Sequence, residues 1–206
     1  MTAAGPASAM PVEELMERMQ QPVRLLLDTN ALFSHRRLNK LSKAVNRLNA
    51  SGGTNIGLFV SAVVHAEKIF DLRQDLGADY DLAHVLQSMQ SRGLHVLPFD
   101  ARHADATAEL LARSFPTRDE WREAKHKRCV DCLGLPSGTS TSGTGKTCSA
   151  TVDWLIGGHA LAEQCILVTD DTGPEYRQVM ERVTLVTLEQ ALTGMLAQTA
   201  AAPGQP

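Results

Sequence analysis

The run Arg24-Leu25-Leu26-Leu27-Asp28-Thr29-Asn30 places three consecutive leucines directly before an acid and two small polar residues. A short apolar run that follows a proline and precedes a polar turn is typical of a buried β-strand. A strand that is apolar on both faces belongs to a parallel sheet covered by helices. Ligands of such sheets bind at the carboxyl ends of the strands. Two roles are therefore open for Asp28, which either caps the following helix or belongs to a ligand site.

Length and charge restrict the possible classes of protein. The chain has 206 residues and a formal net charge of −3, which gives no overall basic signal for nucleic-acid binding. No apolar run approaches the roughly 20 residues of a membrane-spanning helix, so we expect no membrane partner. The N-terminus lacks the basic and apolar regions of a secretory signal. The four cysteines are unevenly placed, which favours reduced thiols and a cytoplasmic location.

Apolar runs alternate with amphipathic helical patterns along most of the chain. The predicted strands are 23–27, 56–60, 94–97, 165–168 and 183–186. The predicted helices are 11–19, 31–48, 62–76, 79–92, 101–114, 121–128, 151–162, one that starts near 175 and a last one that ends near 196. This alternation indicates an α/β, Rossmann-like three-layer fold, in which helices flank a central, mainly parallel sheet. We expect one domain at 22–196, an N-terminal tail at 1–21 that includes the first short helix, and a disordered tail at 197–206.

Several acids occupy similar places in this predicted fold. Asp28 and the pair Asp170/Asp171 follow two of the strands, whereas Glu67 and Asp153 share helix faces with apolar residues. Carboxylates that converge on one sheet edge repel each other, and a hard divalent cation such as Mg²⁺ or Mn²⁺ relieves this repulsion. Such a cation can activate water against a phosphodiester. The acids therefore indicate a metal-dependent nuclease, although each acid taken singly is also explained by helix capping or by pairing with a neighbouring base.

The ordered motifs resemble those of PIN-domain ribonucleases, above all the VapC-like toxins of bacterial toxin–antitoxin modules. The matching segments are LLLDTN at 25–30, SAVVHAE at 61–67, HVLPFD at 95–100, VDWLIGGHAL at 152–161 and ILVTDD at 166–171. The resemblance spans roughly 23–192 apart from an inserted segment. It implies a PIN-like fold and an endoribonuclease that hydrolyses RNA phosphodiester bonds with Mg²⁺ or Mn²⁺.

The resemblance also assigns roles to individual residues. Catalytic, metal-binding roles fall on Asp28, Glu67, Asp153 and Asp171, and supporting roles on Thr29, Asn30, Thr169 and Asp170. Asp171 is preferred to Asp170 because the family's fourth acid stands two residues after the strand-ending threonine, here Thr169. A homodimer and an antitoxin that blocks the site are further implications. The alternatives are an RNA-processing nuclease that is not a toxin, and an RNA-binding or regulatory module without turnover.

The inserted segment, at about 115–149, is basic at first and then rich in Gly, Ser and Thr. A tetrahedral zinc site is one hypothesis for it, with ligands His126, Cys129, Cys132 and Cys148; thiols in a loop are the alternative. Basic side chains that we expect to contact RNA are Arg122, Lys125 and Arg128 in this segment and Arg36, Lys40, Lys43 and Arg47 on helix 31–48. For the latter group, a solvated basic face is the alternative.

Two other nucleotide- and phosphate-processing classes fit the sequence poorly. Gly143-Thr144-Gly145-Lys146-Thr147 resembles the end of a P-loop, but the first glycine of that motif would fall at Ser140, so ATP binding is not expected. A phosphatase of the haloacid dehalogenase type needs a second acid two residues after its nucleophile. Asn30 occupies that position.

Overall fold

The computed structural model describes residues 9–32, 34–132, 134, 136, 150–177, 179 and 181–201. Within these residues the strands are β1 (Val23–Leu27), β2 (Ile56–Ser61), β3 (Leu94–Leu97), β4 (Ile166–Val168) and β5 (Arg182–Val183). They form one sheet in the order β3-β2-β1-β4-β5, and each neighbouring pair is parallel. The predicted α/β fold with a parallel sheet is confirmed.

The helices cover the sheet in two packed groups. Their bounds are α1 (Val12–Arg18), α2 (Thr29–Leu32), α3 (His35–Ala50), α4 (Ala62–Leu76), α5 (Leu82–Gln90), α6 (Ala101–Ser114), α7 (Arg118–Cys132), α8 (Ala150–Ala162), α9 (Pro174–Arg177) and α10 (Leu185–Ala201). Helices α1 and α3 pack on α10, whereas α6, α7 and α9 pack on α8. This arrangement matches the three-layer architecture expected from the alternating pattern.

The centre of the sheet is β1, which pairs with β2 on one side and β4 on the other. Leu25, Leu26 and Leu27 are fully buried, because helices cover both faces of the strand. Burial of each leucine side chain contributes about 2 kcal/mol relative to exposure. The apolar run therefore fixes the middle of the sheet and places Asp28 at its carboxyl edge.

The predicted single helix at 31–48 is wrong, because the structure contains two helices there. Ser34 has an extended backbone, with φ −102° and ψ 98°, and its side chain accepts a hydrogen bond from the Arg37 N–H at 3.3 Å. Ser34 is thus the N-cap from which α3 starts. The earlier helix, α2, begins at Thr29, so Thr29 and Asn30 follow Asp28 in a helical turn.

The predicted strand at 183–186 is also wrong beyond Val183. The Thr184 hydroxyl accepts a hydrogen bond from the Thr187 N–H at 3.0 Å, and a carboxylate oxygen of Asp170 accepts one from the Leu185 N–H at 2.8 Å. These bonds satisfy the first free N–H groups of α10, which therefore starts at Leu185. Its alanine-rich end continues to Ala201, beyond the expected end near 196 and into the expected tail.

Other predicted boundaries shift by a few residues or need correction. Helix α5 starts at Leu82 rather than 79, because the Asp81 side chain caps it through the Ala83 N–H at 2.9 Å. Helix α7 extends the predicted helix 121–128 at both ends. Phe70, an apolar residue of α4, is 63% exposed. Helical spacing cannot distinguish a core-facing aromatic residue from one beside a functional surface.

The N-terminal helix α1 is packed into the core although its segment was expected to be a tail. Leu15 and Met19 are fully buried, and α1 contacts α10. These two side chains lie four residues apart and so share one face of the helix.

Among the described helices, none is long and apolar enough to cross a membrane.

Candidate active site

Asp28 is the centre of the acidic site. Its N–H donates to the Val168 carbonyl of β4 at 3.0 Å, and the residue is only 2% exposed. One carboxylate oxygen accepts from the Thr29 N–H at 2.6 Å. The other accepts from the Thr169 hydroxyl at 2.6 Å and from the Asn30 amide at 3.3 Å. Donors from two segments therefore fix the carboxylate at the junction of β1 and β4.

Thr29 connects Asp28 to Glu67. Its N–H binds Asp28, and its hydroxyl donates to Glu67 Oε2 at 2.7 Å. Glu67 is half-buried on α4, whose first turn is capped by the Ser61 hydroxyl through the Val63 N–H at 3.1 Å. Ser61 ends β2 and caps α4, so α4 begins at the carboxyl edge of the sheet. Glu67 consequently reaches the same edge as Asp28.

Tyr176 provides a second connection, between Asp28 and Asp153. Asp153 is half-buried near the start of α8, and the Tyr176 hydroxyl lies 3.4 Å from its Oδ1 atom. The same phenol also acts on Asp28, whose pKa it lowers slightly. Tyr176 is fully buried on α9 and was not among the site residues predicted from the sequence. No spacing rule relates it to either acid, because the contact depends on the turn before α9.

The two acids after β4 have different surroundings. The Asp171 N–H donates to the Thr169 hydroxyl at 3.1 Å, and the Asp171 charge acts on Asp28. Asp170 instead accepts the Leu185 N–H and lies 3.8 Å from a guanidinium nitrogen of Arg37. Asp170 therefore stabilises the start of α10, whereas Asp171 lies at the acidic site.

A further acid, Glu175, was also missed. It is 2% exposed, and its carboxylate lies so close to Gly173 that a Cβ atom there would be 2.0 Å from Oε1. Its charge acts on the neighbouring Tyr176. A glutamate one residue before a buried tyrosine carries no signal in the sequence, because its burial depends on how the turn at 171–173 folds.

The electrostatics of the site reflect crowded negative charge. Burial raises the pKa of Asp28 above its usual range, and the Asp171 charge raises it further, although hydrogen bonds from Thr169 and Thr29 act in the opposite direction. Burial and the surrounding carboxylates also raise the pKa of the Tyr176 phenol. The phenol is therefore a neutral hydrogen-bond donor among acceptors.

The donor set fits a hard divalent cation. Asp28, Glu67, Asp153 and Asp171 supply only oxygen atoms, which are the ligands that Mg²⁺ and Mn²⁺ prefer. Within the described residues, the Asn30 Oδ1 atom is buried and has no hydrogen-bond partner. A buried acceptor of this kind is unusual and suits a site that binds a cation or its water.

A separate group of ligand-type side chains lies behind the site. In the described part of the chain, one group of three potential metal ligands has all its ligand atoms within 4.8 Å of one another. Its members are His103, His159 and Glu163. His103 Nδ1 accepts from the Asp100 N–H at 2.9 Å, so Nε2 of the neutral ring carries the proton and faces Glu163 at 3.0 Å. Glu163 also pairs with Arg24 at 2.9 Å. These bonds and the adjacent positive charge favour a structural network over a metal site.

The inserted helix α7 is attached to the helix that carries Asp153. The Phe115 ring lies 5.2 Å from the Trp121 ring and 5.5 Å from the Trp154 ring, measured between centroids. Trp154 directly follows Asp153 and is 2% exposed. Aromatic contacts of this geometry stabilise packing beyond the buried area. They fix α7 beside the acidic site.

The predicted RNA-contacting cations are exposed where the structure describes them. This holds for Arg36, Lys40, Lys43 and Arg47 on α3 and for Arg122 and Lys125 on α7. The side chain of Arg128 lies outside the described residues. The same is true of Cys148 and of the side chains of Cys129 and Cys132, so the zinc hypothesis, which also includes His126, stays a prediction.

The family model described as the PIN domain matches residues 25–179. Curated proteins give no significant match.

The chain is similar to three solved structures at low identity. VapBC2 from Rickettsia felis, bound to a DNA fragment from its promoter, has 19% identity and a TM-score of 0.38, covering 79% of this chain and 97% of that one. VapBC-1 from nontypeable Haemophilus influenzae has 15% identity and a TM-score of 0.41, with 79% and 96% covered. FitAcB from Neisseria gonorrhoeae has 18% identity and a TM-score of 0.39, with 79% and 98% covered.

The family match begins within β1, three residues before Asp28, and ends just after α9. It therefore includes the end of β1 and all of β2, β3 and β4, together with every acid of the site. Because this match covers well over half of the sequence, the chain belongs to the PIN-domain family.

Proposed function

We propose that this protein is a metal-dependent endoribonuclease that hydrolyses RNA phosphodiester bonds. PIN domains are nucleases as a family, which supports the general class of activity. The observation that carries the proposal is the connected acidic site, in which Thr29 joins Asp28 to Glu67 and Tyr176 joins Asp28 to Asp153. A buried carboxylate whose pKa is raised, as that of Asp28 is, is typical of a functional site.

In this proposal Asp28, Glu67, Asp153 and Asp171 hold Mg²⁺ or Mn²⁺. The bound cation would activate water and neutralise charge on the scissile phosphodiester. The neighbouring residues orient the acids: Thr29 and Thr169 donate to Asp28 through the bonds described above. Asn30 also donates to Asp28 and to the Thr169 hydroxyl, at 3.2 Å for the latter bond.

The proposal is tested by cleavage of a mixed RNA pool by the purified chain, first with EDTA and then with Mg²⁺ or Mn²⁺. Asp28→Asn and Asp153→Asn should abolish cleavage, because each removes one charge from the oxygen-donor set. Asp75→Asn, at an exposed acid of α4, is the matched control and should cleave like the wild type. Equal activity in all proteins would indicate a contaminating nuclease. Tight RNA binding without cleavage would indicate an RNA-binding or regulatory module.

The exposed cations support RNA as the substrate. Arg122 and Lys125 lie on α7, which the aromatic contacts attach to α8 beside Asp153. Basic side chains bind the phosphate backbone without regard to sequence. Arg122→Glu with Lys125→Glu should weaken RNA binding and reduce its salt dependence. Arg113→Glu, at an exposed position of α6, is the control, and RNA affinity unaltered by the double change would contradict a role of α7.

An exposed apolar patch supports the proposed homodimer. Phe70, Leu76, Leu82 and Leu86 on α4 and α5 are 43% to 63% exposed. Exposed apolar patches on otherwise polar surfaces mark protein–protein contacts. Light scattering should give a dimer for the wild type and a monomer for Phe70→Ser with Leu86→Ser. Val186→Ser, at a similarly exposed residue of α10, is the control. A monomeric wild type would contradict the proposal.

We extend the proposal to the toxin role that the sequence motifs imply, with an antitoxin as partner and the cytoplasm as location. Induced expression should then arrest growth, and Asp28→Asn should not. Co-expression of the product of the adjacent reading frame should restore growth and give a complex with the wild type. RNA cleavage without growth arrest would instead indicate an RNA-processing nuclease that is not a toxin.

A further inference from the structure

We propose that Tyr176 is a positioning residue of the metal centre, whose phenolic hydroxyl holds the carboxylates of Asp28 and Asp153 in place for the cation. This inference rests on the proposed function, because it assumes that both acids bind the metal. It adds a residue that the acidic motifs do not include. Its support is geometric and comes from the burial, contacts and local support of Tyr176.

The hydroxyl of Tyr176 contacts an acidic side chain, whereas its ring packs in the hydrophobic core. The residue is fully buried, and its ring belongs to the hydrophobic core. A phenylalanine ring would fill the same space without the cost of removing a hydroxyl from water. The hydroxyl lies 3.4 Å from Asp153 Oδ1, and the phenol also lowers the pKa of Asp28. Contacts with these carboxylates offset that cost.

The chemistry of a phenol suits it to this position. A neutral phenol has one proton to donate, and ionised carboxylates can only accept. Tyr176 therefore occupies one lone pair on Asp28 or Asp153 and leaves the remaining lone pairs for a cation. Hydrogen-bonded partners of this kind orient metal ligands, and their removal typically lowers metal affinity or activity by about 10- to 100-fold.

The turn before α9 holds the tyrosine in register with Asp171. The Tyr176 N–H donates to the Gly173 carbonyl at 3.2 Å, and the Val179 N–H donates to the Tyr176 carbonyl at 3.1 Å. The Glu175 carboxylate leaves no space for a side chain at Gly173. The turn and α9 thus form one unit, through which Tyr176 couples Asp171 to the acids of β1 and α8.

The experiment is direct titration of Mn²⁺ by electron paramagnetic resonance, without RNA, on the wild type and Tyr176→Phe. We expect the Kd for Mn²⁺ to rise about tenfold or more and kcat to fall by a similar factor. The KM for RNA should stay the same, because the hydroxyl is buried and does not contact the substrate. Urea unfolding should remain cooperative, since the ring is retained. Tyr80→Phe removes the buried hydroxyl of a tyrosine on another surface and should behave like the wild type.

The outcomes separate this inference from the proposed function. Wild-type Mn²⁺ affinity in Tyr176→Phe, together with lost affinity in Asp153→Asn, would overturn the positioning role and leave the metal site intact. A wild type that binds no Mn²⁺ would overturn both proposals. Weaker Mn²⁺ binding in Tyr176→Phe, with unchanged KM and unfolding, would establish the role.

Discussion

Lowering the pH from 7 to 5 is expected to destabilise the fold by about 2 kcal/mol through His159 alone. The ring is fully buried on α8, and its Nδ1 atom lies 2.8 Å from the Ser61 hydroxyl. Among the described residues, its Nε2 atom has no hydrogen-bond partner. A proton added to the ring would therefore place a charge in the interior.

The magnitude follows from the pKa of His159 in the two states. Burial, and secondarily the electrostatic influence of the neighbouring His103 ring, lowers this pKa from 6.5 to about 4, although Glu163 and Asp100 act in the opposite direction. Between pH 6.5 and pH 4, the unfolded chain binds a proton at His159 that the folded chain does not bind. The contribution to stability is thus complete above pH 6.5 and is lost as the pH falls. The full loss is about 3 kcal/mol, of which about 2 kcal/mol is reached at pH 5.

The assay is urea unfolding of the wild type and His159→Gln between pH 8 and pH 5. The free energy of unfolding of the wild type should fall relative to that of the variant by about 2 kcal/mol over this range. Subtraction removes the contributions of the carboxylates, which both proteins share. His84→Gln, at an exposed histidine of α5, should follow the wild type at every pH. A difference between the wild type and His159→Gln that stays constant with pH would refute the reasoning.

Three further substitutions test the packing around the site and the assignment of its acids. Gly158→Ala should destabilise the fold by about 2 kcal/mol in urea unfolding. The reason is that the new Cβ atom would lie 2.1 Å from the Thr107 hydroxyl and 2.7 Å from the Thr107 backbone. Wild-type stability of this variant would show that α6 and α8 can separate at little cost. Asp171→Asn should abolish RNA cleavage, whereas Asp170→Ala should retain it and lose about 1 kcal/mol of stability with its bond to the Leu185 N–H; the reverse pattern in cleavage would mean that Asp170 is the functional acid.

The strands were predictable because their signals are local. The leucine run of β1 is buried on both faces, and its end at Leu27 agrees with the structure. The cap residues Ser61 and Asp100 also mark the starts of α4 and α6 correctly. The hydrogen bonds of both caps join residues two apart in the sequence. For β1 the apolar run itself is the local signal.

The errors arose at helix starts, where a single cap overrides the apolar pattern of the segment. The apolar spacing of α2 and α3 continues across Ser34, so the sequence suggested one helix, but the cap at Ser34 ends that continuity. Leu185 and Val186 have strand-like composition, yet the Leu185 N–H donates a hydrogen bond to the Asp170 carboxylate and a helix starts there. Asp170 and Leu185 lie 15 residues apart, and no short-range rule pairs them.

The sequence by itself determined the parallel α/β class and which acids follow a strand or lie on a helix. Only the tertiary structure decided how those acids are held together. The Thr169 hydroxyl bonds Asp28 across 141 residues, and Thr29 bonds Glu67 across 38. Helical and strand periods report contacts between near neighbours, whereas these bonds form only when the sheet brings distant segments to one edge. Tyr176 reaches the site in the same way, through a turn whose geometry the pattern of residues does not reveal.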